Sequence, residues 1–169
     1  MNLHRFFWRS FQVGPRIAYA LGMGDLVGKF VLLLTTHGRR SGRPRVTPLV
    51  YELQGDTILV ASARGQSADW LRNIQTNPQV SVRVGSRRFD GLAEVCSDPE
   101  KIADYLERQF GRNPRAFGAI LRSEGLSSPP NRADLLRFAP NRPMVIIRPV
   151  PDAAKQLEGA PSASLREVT

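Results

Sequence analysis

The pattern of apolar and polar positions divides the chain into a helical opening, six strands and three later helices. Residues 3–22 set Leu3, Phe6, Phe7, Phe11, Ile17 and Leu21 at helical spacing with Arg5, Arg9, Gln12 and Arg16 between them, which predicts an amphipathic helix kinked at Gly14-Pro15. Such a face suits packing on the domain's own core, a lid over a pocket, or a membrane surface. Three apolar runs rich in branched residues follow, at 29–36, 45–53 and 57–64, and each reads as a strand. Gln54-Gly55-Asp56 joins the second to the third as a hairpin. The runs are continuous rather than alternating, so both of their faces must be covered, as in a small closed or half-closed barrel with helices outside.

Residues 67–77 predict a short helix that stops at Asn77-Pro78. The next stretch alternates cleanly, with Val80, Val82 and Val84 on one side and Ser81 and Arg83 on the other, and Gly85-Ser86 returns it through residues 87–96 as a second hairpin. Asp98-Pro99 opens a helix with Ile102, Tyr105, Leu106 and Phe110 on one face, and Asn113-Pro114 opens another that runs through Arg122. Residues 124–141 are expected to form a connecting loop around a short RADLLRF turn, before a closing strand at 142–150. The expected organisation is an amphipathic segment over 1–28, a barrel domain over 29–150 and a loose tail over 151–169.

Composition narrows the partners. At 169 residues, 41% of them hydrophobic and 23% charged, the chain suits one globular domain. A net charge of +9 implies an anionic partner, and because only Lys29, Lys101 and Lys155 are lysines, that charge is carried by guanidinium forks suited to phosphate and carboxylate. Lone Cys96 excludes an intrachain disulfide and fits a reducing cytoplasm, and with His4 and His37 the only histidines no Cys/His metal site is expected. Neither a membrane-spanning run nor a secretory signal is read.

Several chemistries lack their residues. No GxSxG elbow accompanies a histidine base, no Gly-Lys-Ser/Thr follows Gly38 or Gly42, and no GxGxxG opens a helix. Asp56, Asp69, Asp90 and Glu94 fall where turns, helix starts and strand surfaces usually place charge. A chain with little reactivity of its own and a concentrated cationic turn points to a cofactor that brings the chemistry.

That turn is HGRRSGRPR, residues 37–45. Gly38 and Gly42 permit positive φ, so the backbone is expected to curl with several N–H groups converging, Ser41 adding a hydroxyl and Arg39, Arg40, Arg43 and Arg45 surrounding the concavity. Pro48, inside the next strand, lacks a ladder donor and belongs at a sheet edge or beside a ligand. Small residues at Ala61, Ser62 and Ala63, followed by Arg64 and Gly65, would let a flat ring approach the backbone.

The blocks LLLTTHGRRSGRPRVTPLVY (32–51), VASARGQSADWLRNIQTNPQVSV (60–82) and RPMVIIRP (142–149) together resemble the nitroreductase family of deazaflavin-dependent oxidoreductases. The resemblance implies an α+β fold with a split β-barrel of the FMN-binding type and helices packed outside. It implies a reduced 8-hydroxy-5-deazaflavin coenzyme (coenzyme F420) that delivers hydride to a quinone, nitro compound or activated alkene. Arg39, Arg40, Ser41, Gly42 and Arg45 match the block that holds the coenzyme's anionic tail; Thr47, Pro48 and Leu49, with Ala61, Ser62, Ala63, Arg64 and Gly65, match the segments around its ring. Trp70 and Asn73 match a Trp and Asn on the following helix, with Trp70 equally readable as a core anchor. Ser62 is the candidate catalytic donor to a developing oxyanion. Two other readings stand beside this one: a split barrel that binds FMN, and a basic barrel that binds nucleic acid, the latter disfavoured because the aromatics sit at the amino end and in core positions. A small-molecule acceptor, a cytoplasmic location, a homodimer and peripheral membrane contact through the amino-terminal helix complete the expectations.

Overall fold

Alternating side chains of six short strands bury one apolar layer inside a barrel and a second outside it, in a computed structural model of the chain. The structure describes residues 31–62, 64–112, 114–123, 125, 127 and 129–150. The expected helix over 3–22, with its membrane contact, the tail from 151 and Ala63 all lie outside the described residues. Strands β1 (Val31–His37), β2 (Pro44–Gln54), β3 (Thr57–Ala61), β4 (Gln79–Val84), β5 (Arg87–Cys96) and β6 (Met144–Pro149) close in the order β1-β2-β3-β6-β5-β4, every neighbouring pair antiparallel. The α+β split-barrel class expected from the sequence is the observed one.

Leu32 and Leu34 of β1, Ile58 and Val60 of β3, Val80 and Val82 of β4, Phe89 and Ala93 of β5, and Val145 and Ile147 of β6 fill the interior. Helix α1 (Asp69–Thr76) adds Trp70, Leu71 and Ile74 to the same cluster. Leu59 and Met144, which alternate with those interior residues, point the other way and pack against Ile102, Tyr105 and Leu106 of helix α2 (Pro99–Arg112) and Leu135 of a later helix. Continuous apolar runs therefore serve two cores at once, because successive residues of a strand face opposite sides. Helix α3 (Pro114–Ser123) follows α2.

Residues 132–138 depart from expectation. Instead of a turn within a loop they form helix α4 (Arg132–Phe138), capped by the Asn131 side chain, whose Oδ1 accepts from the Asp134 N–H at 2.8 Å. Leu135 is 1% exposed against the α2 layer. Arg132 bonds to Glu100 and reaches Asp104 (2.6 Å) and Glu107 (3.3 Å), all on α2. Seven residues are too few for intrinsic propensity to hold a helix, so packing supplies what the local sequence lacks.

The described pairings of strand β2 with its two neighbours cover different spans, and this positions the site. Residues Pro44–Val50 pair with β1, Val50 opposite Val31; residues Tyr51–Gln54 pair with β3, Tyr51 opposite Val60. Continuing that second register would set Leu49 opposite Ser62. Instead the pairing stops, and the Ser62 N–H donates to the Pro143 carbonyl at 3.0 Å, so the chain after β3 follows the β6 side. Beyond Tyr51 opposite Val60, no strand pairing joins β2 to the chain after β3 among the described residues, which leaves a split in the ladder between Thr47–Leu49 and the segment beginning at Ser62.

Within the part of β2 that pairs with β3 lies Glu52, 2% exposed. Its carboxylate accepts from Arg108 Nε at 2.8 Å and Gln109 Nε2 at 2.8 Å, with the Arg112 guanidinium 3.6 Å away. Three α2 side chains thus clamp β2 to the helical layer. Burial, with the Glu52 carboxylate nearby, pushes the Tyr105 hydroxyl well above its ordinary range.

Candidate functional site

The cationic turn between β1 and β2 is closed by its own backbone. Gly38 N donates to the Arg43 carbonyl (2.9 Å), while Ser41 N and Gly42 N both donate to the Gly38 carbonyl (3.1 and 2.7 Å). Arg43 N lies 3.4 Å from Ser41 Oγ. Gly42 adopts φ +64°, the left-handed conformation that lets the loop fold back on itself. The expected nest of convergent N–H groups is therefore absent here: those donors are spent on holding the turn, because a short loop must satisfy its own backbone. What remains to meet an anion is side-chain charge. Arg40, Arg43 and Arg45 are exposed, and no carboxylate pairs with them among the described residues.

Arg39 behaves differently. Its backbone N–H donates to Asn73 Oδ1 (3.1 Å), and its guanidinium reaches Asp69 Oδ1 (3.0 Å) and Asn73 Oδ1 (3.3 Å). Asn73, 3% exposed, donates from Nδ2 to Thr36 Oγ1 at 3.1 Å, and Thr36 is itself fully buried. Asn73 thus fastens the turn to α1 from beneath, with both ends of its amide engaged. Asp69 and Asn73 are four residues apart and share one helix face, the spacing that would have indicated Asp69 as a partner for the turn.

Around the split, Pro48 is buried and Thr47 and Leu49 are half-buried, Leu49 packing on the interior cluster. Pro48 falls in the half of β2 whose described strand partner is β1 alone, where a residue without an N–H is tolerated. On the opposite side Ala61 is half-buried, Ser62 is 1% exposed, Arg64 is exposed and Gly65 is buried. Gly65 has φ +57°, and a Cβ there would lie 2.7 Å from the Asn141 carbonyl oxygen. Ser62 Oγ donates to the Gly65 carbonyl at 2.7 Å, and Gly65 N donates back to the Ser62 carbonyl at 3.2 Å. The hydroxyl proton expected to serve an oxyanion is thus engaged in closing this turn. Trp70, 7% exposed, joins the interior cluster from α1.

Fold and site define a class: a small barrel that presents an arginine rim next to a split in its wall. Residues 12–116 match the family model of F420H(2)-dependent quinone reductases, and the chain belongs to that family. An F420H(2)-dependent quinone reductase of Mycobacterium tuberculosis (strain ATCC 25618 / H37Rv) is 39% identical over 74 residues, 41% of this chain and 50% of that protein. The chain spans about half the length of the curated relatives it matches. Among solved structures, an F420 reductase is 25% identical with a TM-score of 0.48, over 72% of this chain and 86% of that one. The heme storage protein HutZ of Vibrio cholerae is 17% identical with a TM-score of 0.50, over 82% and 91% of the two chains, a likeness of fold alone.

Proposed function

We propose that this protein binds coenzyme F420 at the arginine rim and split and uses its reduced form to reduce a quinone. The observation that carries the reading is that Arg40, Arg43 and Arg45, without carboxylate partners among the described residues, flank the end of β2 that lies beyond its last pairing with β3, Tyr51 opposite Val60. Guanidinium groups suit a tail of phosphate and carboxylates, so the residues present fit the coenzyme. When bound, the coenzyme supplies a hydride.

The chain's own residues hold and orient. Arg40, Arg43 and Arg45 would take the tail's charge, while Asn73 keeps the turn that carries them fixed to α1. Thr47, Pro48 and Leu49 on β2, with Ala61, Ser62, Arg64 and Gly65 at and after the end of β3, would border the ring. Ser62 acts there by holding the Gly65 turn. Leu49 and the interior behind it keep water from one side. Trp70 supports the wall from within. Cytoplasmic residence is part of the proposal, supported by the lone Cys96, which is buried and unpaired. Among the described residues no helix is long and apolar enough to cross a membrane.

Titrating the protein into oxidised coenzyme F420 and following its fluorescence tests the reading. Saturable quenching that weakens with salt and falls at least tenfold in affinity in Arg40→Ala/Arg43→Ala, about 1.4 kcal/mol, is expected, followed by oxidation of the reduced coenzyme on adding menadione. Protein that leaves the fluorescence unchanged but retains FMN would overturn it in favour of a flavin.

A further inference from the structure

We propose that Asp69 is a built-in competitor for the anion site: its carboxylate holds the Arg39 guanidinium against α1 and keeps a fourth cation of the turn from the ligand until the ligand's own charge displaces it. The inference rests on the reading of the turn as a coenzyme-tail site.

Three features carry it. Arg39 is fixed at its backbone by Asn73 (3.1 Å), so its Cα stays in the turn, while its guanidinium, bonded to Asp69 (3.0 Å) and at greater length to Asn73 Oδ1 (3.3 Å), can exchange the carboxylate for another anion. The Asp69 contact at 3.0 Å is made near the surface, with the Arg39 side chain 26% and the Asp69 side chain 75% exposed. An exposed pair of this kind is weak and reversible. Arg40, Arg43 and Arg45 by contrast have no carboxylate opposite them among the described residues, so Asp69 distinguishes one arginine of the four. A phosphate carries more charge and more acceptor oxygens than a carboxylate and would win the guanidinium from it. The structure therefore offers three arginines at rest and a fourth on demand, with affinity trimmed by the exchange.

The test uses the full-length chain and Asp69→Asn, which keeps side-chain size at the start of α1. Two probes are titrated, coenzyme F420 by fluorescence and inorganic pyrophosphate by calorimetry. Asp69→Asn is expected to tighten both by about two- to fivefold, the range a surface ion pair supports, with the thermal midpoint monitored to show an intact fold. In Asp69→Asn/Arg39→Met the gain should vanish, and Arg39→Met alone should weaken binding less than it does in the Asp69→Asn background. Weaker binding by Asp69→Asn would overturn the proposal and make Asp69 a buttress that aims Arg39 at the ligand; unchanged binding, or no pyrophosphate binding by any variant, would overturn it too. If the coenzyme fails to bind while pyrophosphate follows the expected order, the coenzyme assignment falls and the competitor role stands.

Discussion

Replacing Arg108 with methionine should destabilise the protein more than replacing Glu52 with glutamine, although each change removes the same ion pair. The Glu52 side chain is 1% exposed, whereas the Arg108 and Arg112 side chains are 39% and 53% exposed. Once Glu52 is neutral, the two cations can turn to water, and the amide oxygen still accepts from a donor; losing charge-assisted bonds of this kind costs about 1–2 kcal/mol. Removing Arg108 leaves a carboxylate that has no route to water, with the Gln109 amide at 2.8 Å and a guanidinium at 3.6 Å. Breaking a buried pair so that one charge stays uncompensated costs about 3–5 kcal/mol, and the second cation places Arg108→Met near 3, or roughly 6–12 °C in thermal midpoint for a chain of this size. Methionine keeps much of the arginine's aliphatic stem, so the loss reports charge rather than packing. Urea unfolding followed by far-UV circular dichroism measures both variants, provided the slope with denaturant is unchanged. If Glu52→Gln costs as much as Arg108→Met, the reasoning from asymmetric exposure is wrong.

Two further outcomes follow from single contacts. Gly65→Ala combines a left-handed backbone with a Cβ 2.7 Å from the Asn141 oxygen, so a loss of at least about 1–3 kcal/mol is expected in the same assay; an unchanged midpoint would show that the turn relaxes freely. The Asp134 carboxyl lies below its ordinary 3.8, first because the Ser127 hydroxyl donates to it (2.9 Å) and then because of Arg137. A depressed carboxyl stabilises the fold above the unfolded pKa and loses that contribution as pH falls through the folded value, so Ser127→Ala should bring the loss on at higher pH; an Asp134 titration by NMR that does not move would refute the assignment.

Much of the barrel is legible because strand burial is periodic. The Gln54–Thr57 hairpin, the alternation of Val80 and Val82, and the Arg87–Cys96 strand all stand where pattern and turn residues place them. The third strand is shorter than its apolar run suggests: residues 57–64 read as one strand, but β3 ends at Ala61. There Ser62 bonds to Pro143 rather than to β2, a choice between two neighbours that local composition does not encode. Helix α4 was hidden in a polar stretch for the same reason, since Leu135 declares its role only against α2. Asp69 reads as an ordinary helix-start charge, and Glu52 carries no signal in the sequence, because their partners lie 30 and 56 residues away.

By itself the sequence determined the strand order along the chain, the concentration of guanidinium at one turn and the small residues that flank it, because these depend on side-chain type and on spacings of a few residues. Only the structure shows that the turn spends most of its N–H groups on itself, and tertiary packing decided that Asn73 and Asp69 take Arg39 and that β2 and β3 stop pairing beyond Tyr51. The latter two outcomes are competitions between partners far apart in sequence, and such competitions are resolved only when the packed barrel brings the rivals within hydrogen-bonding distance.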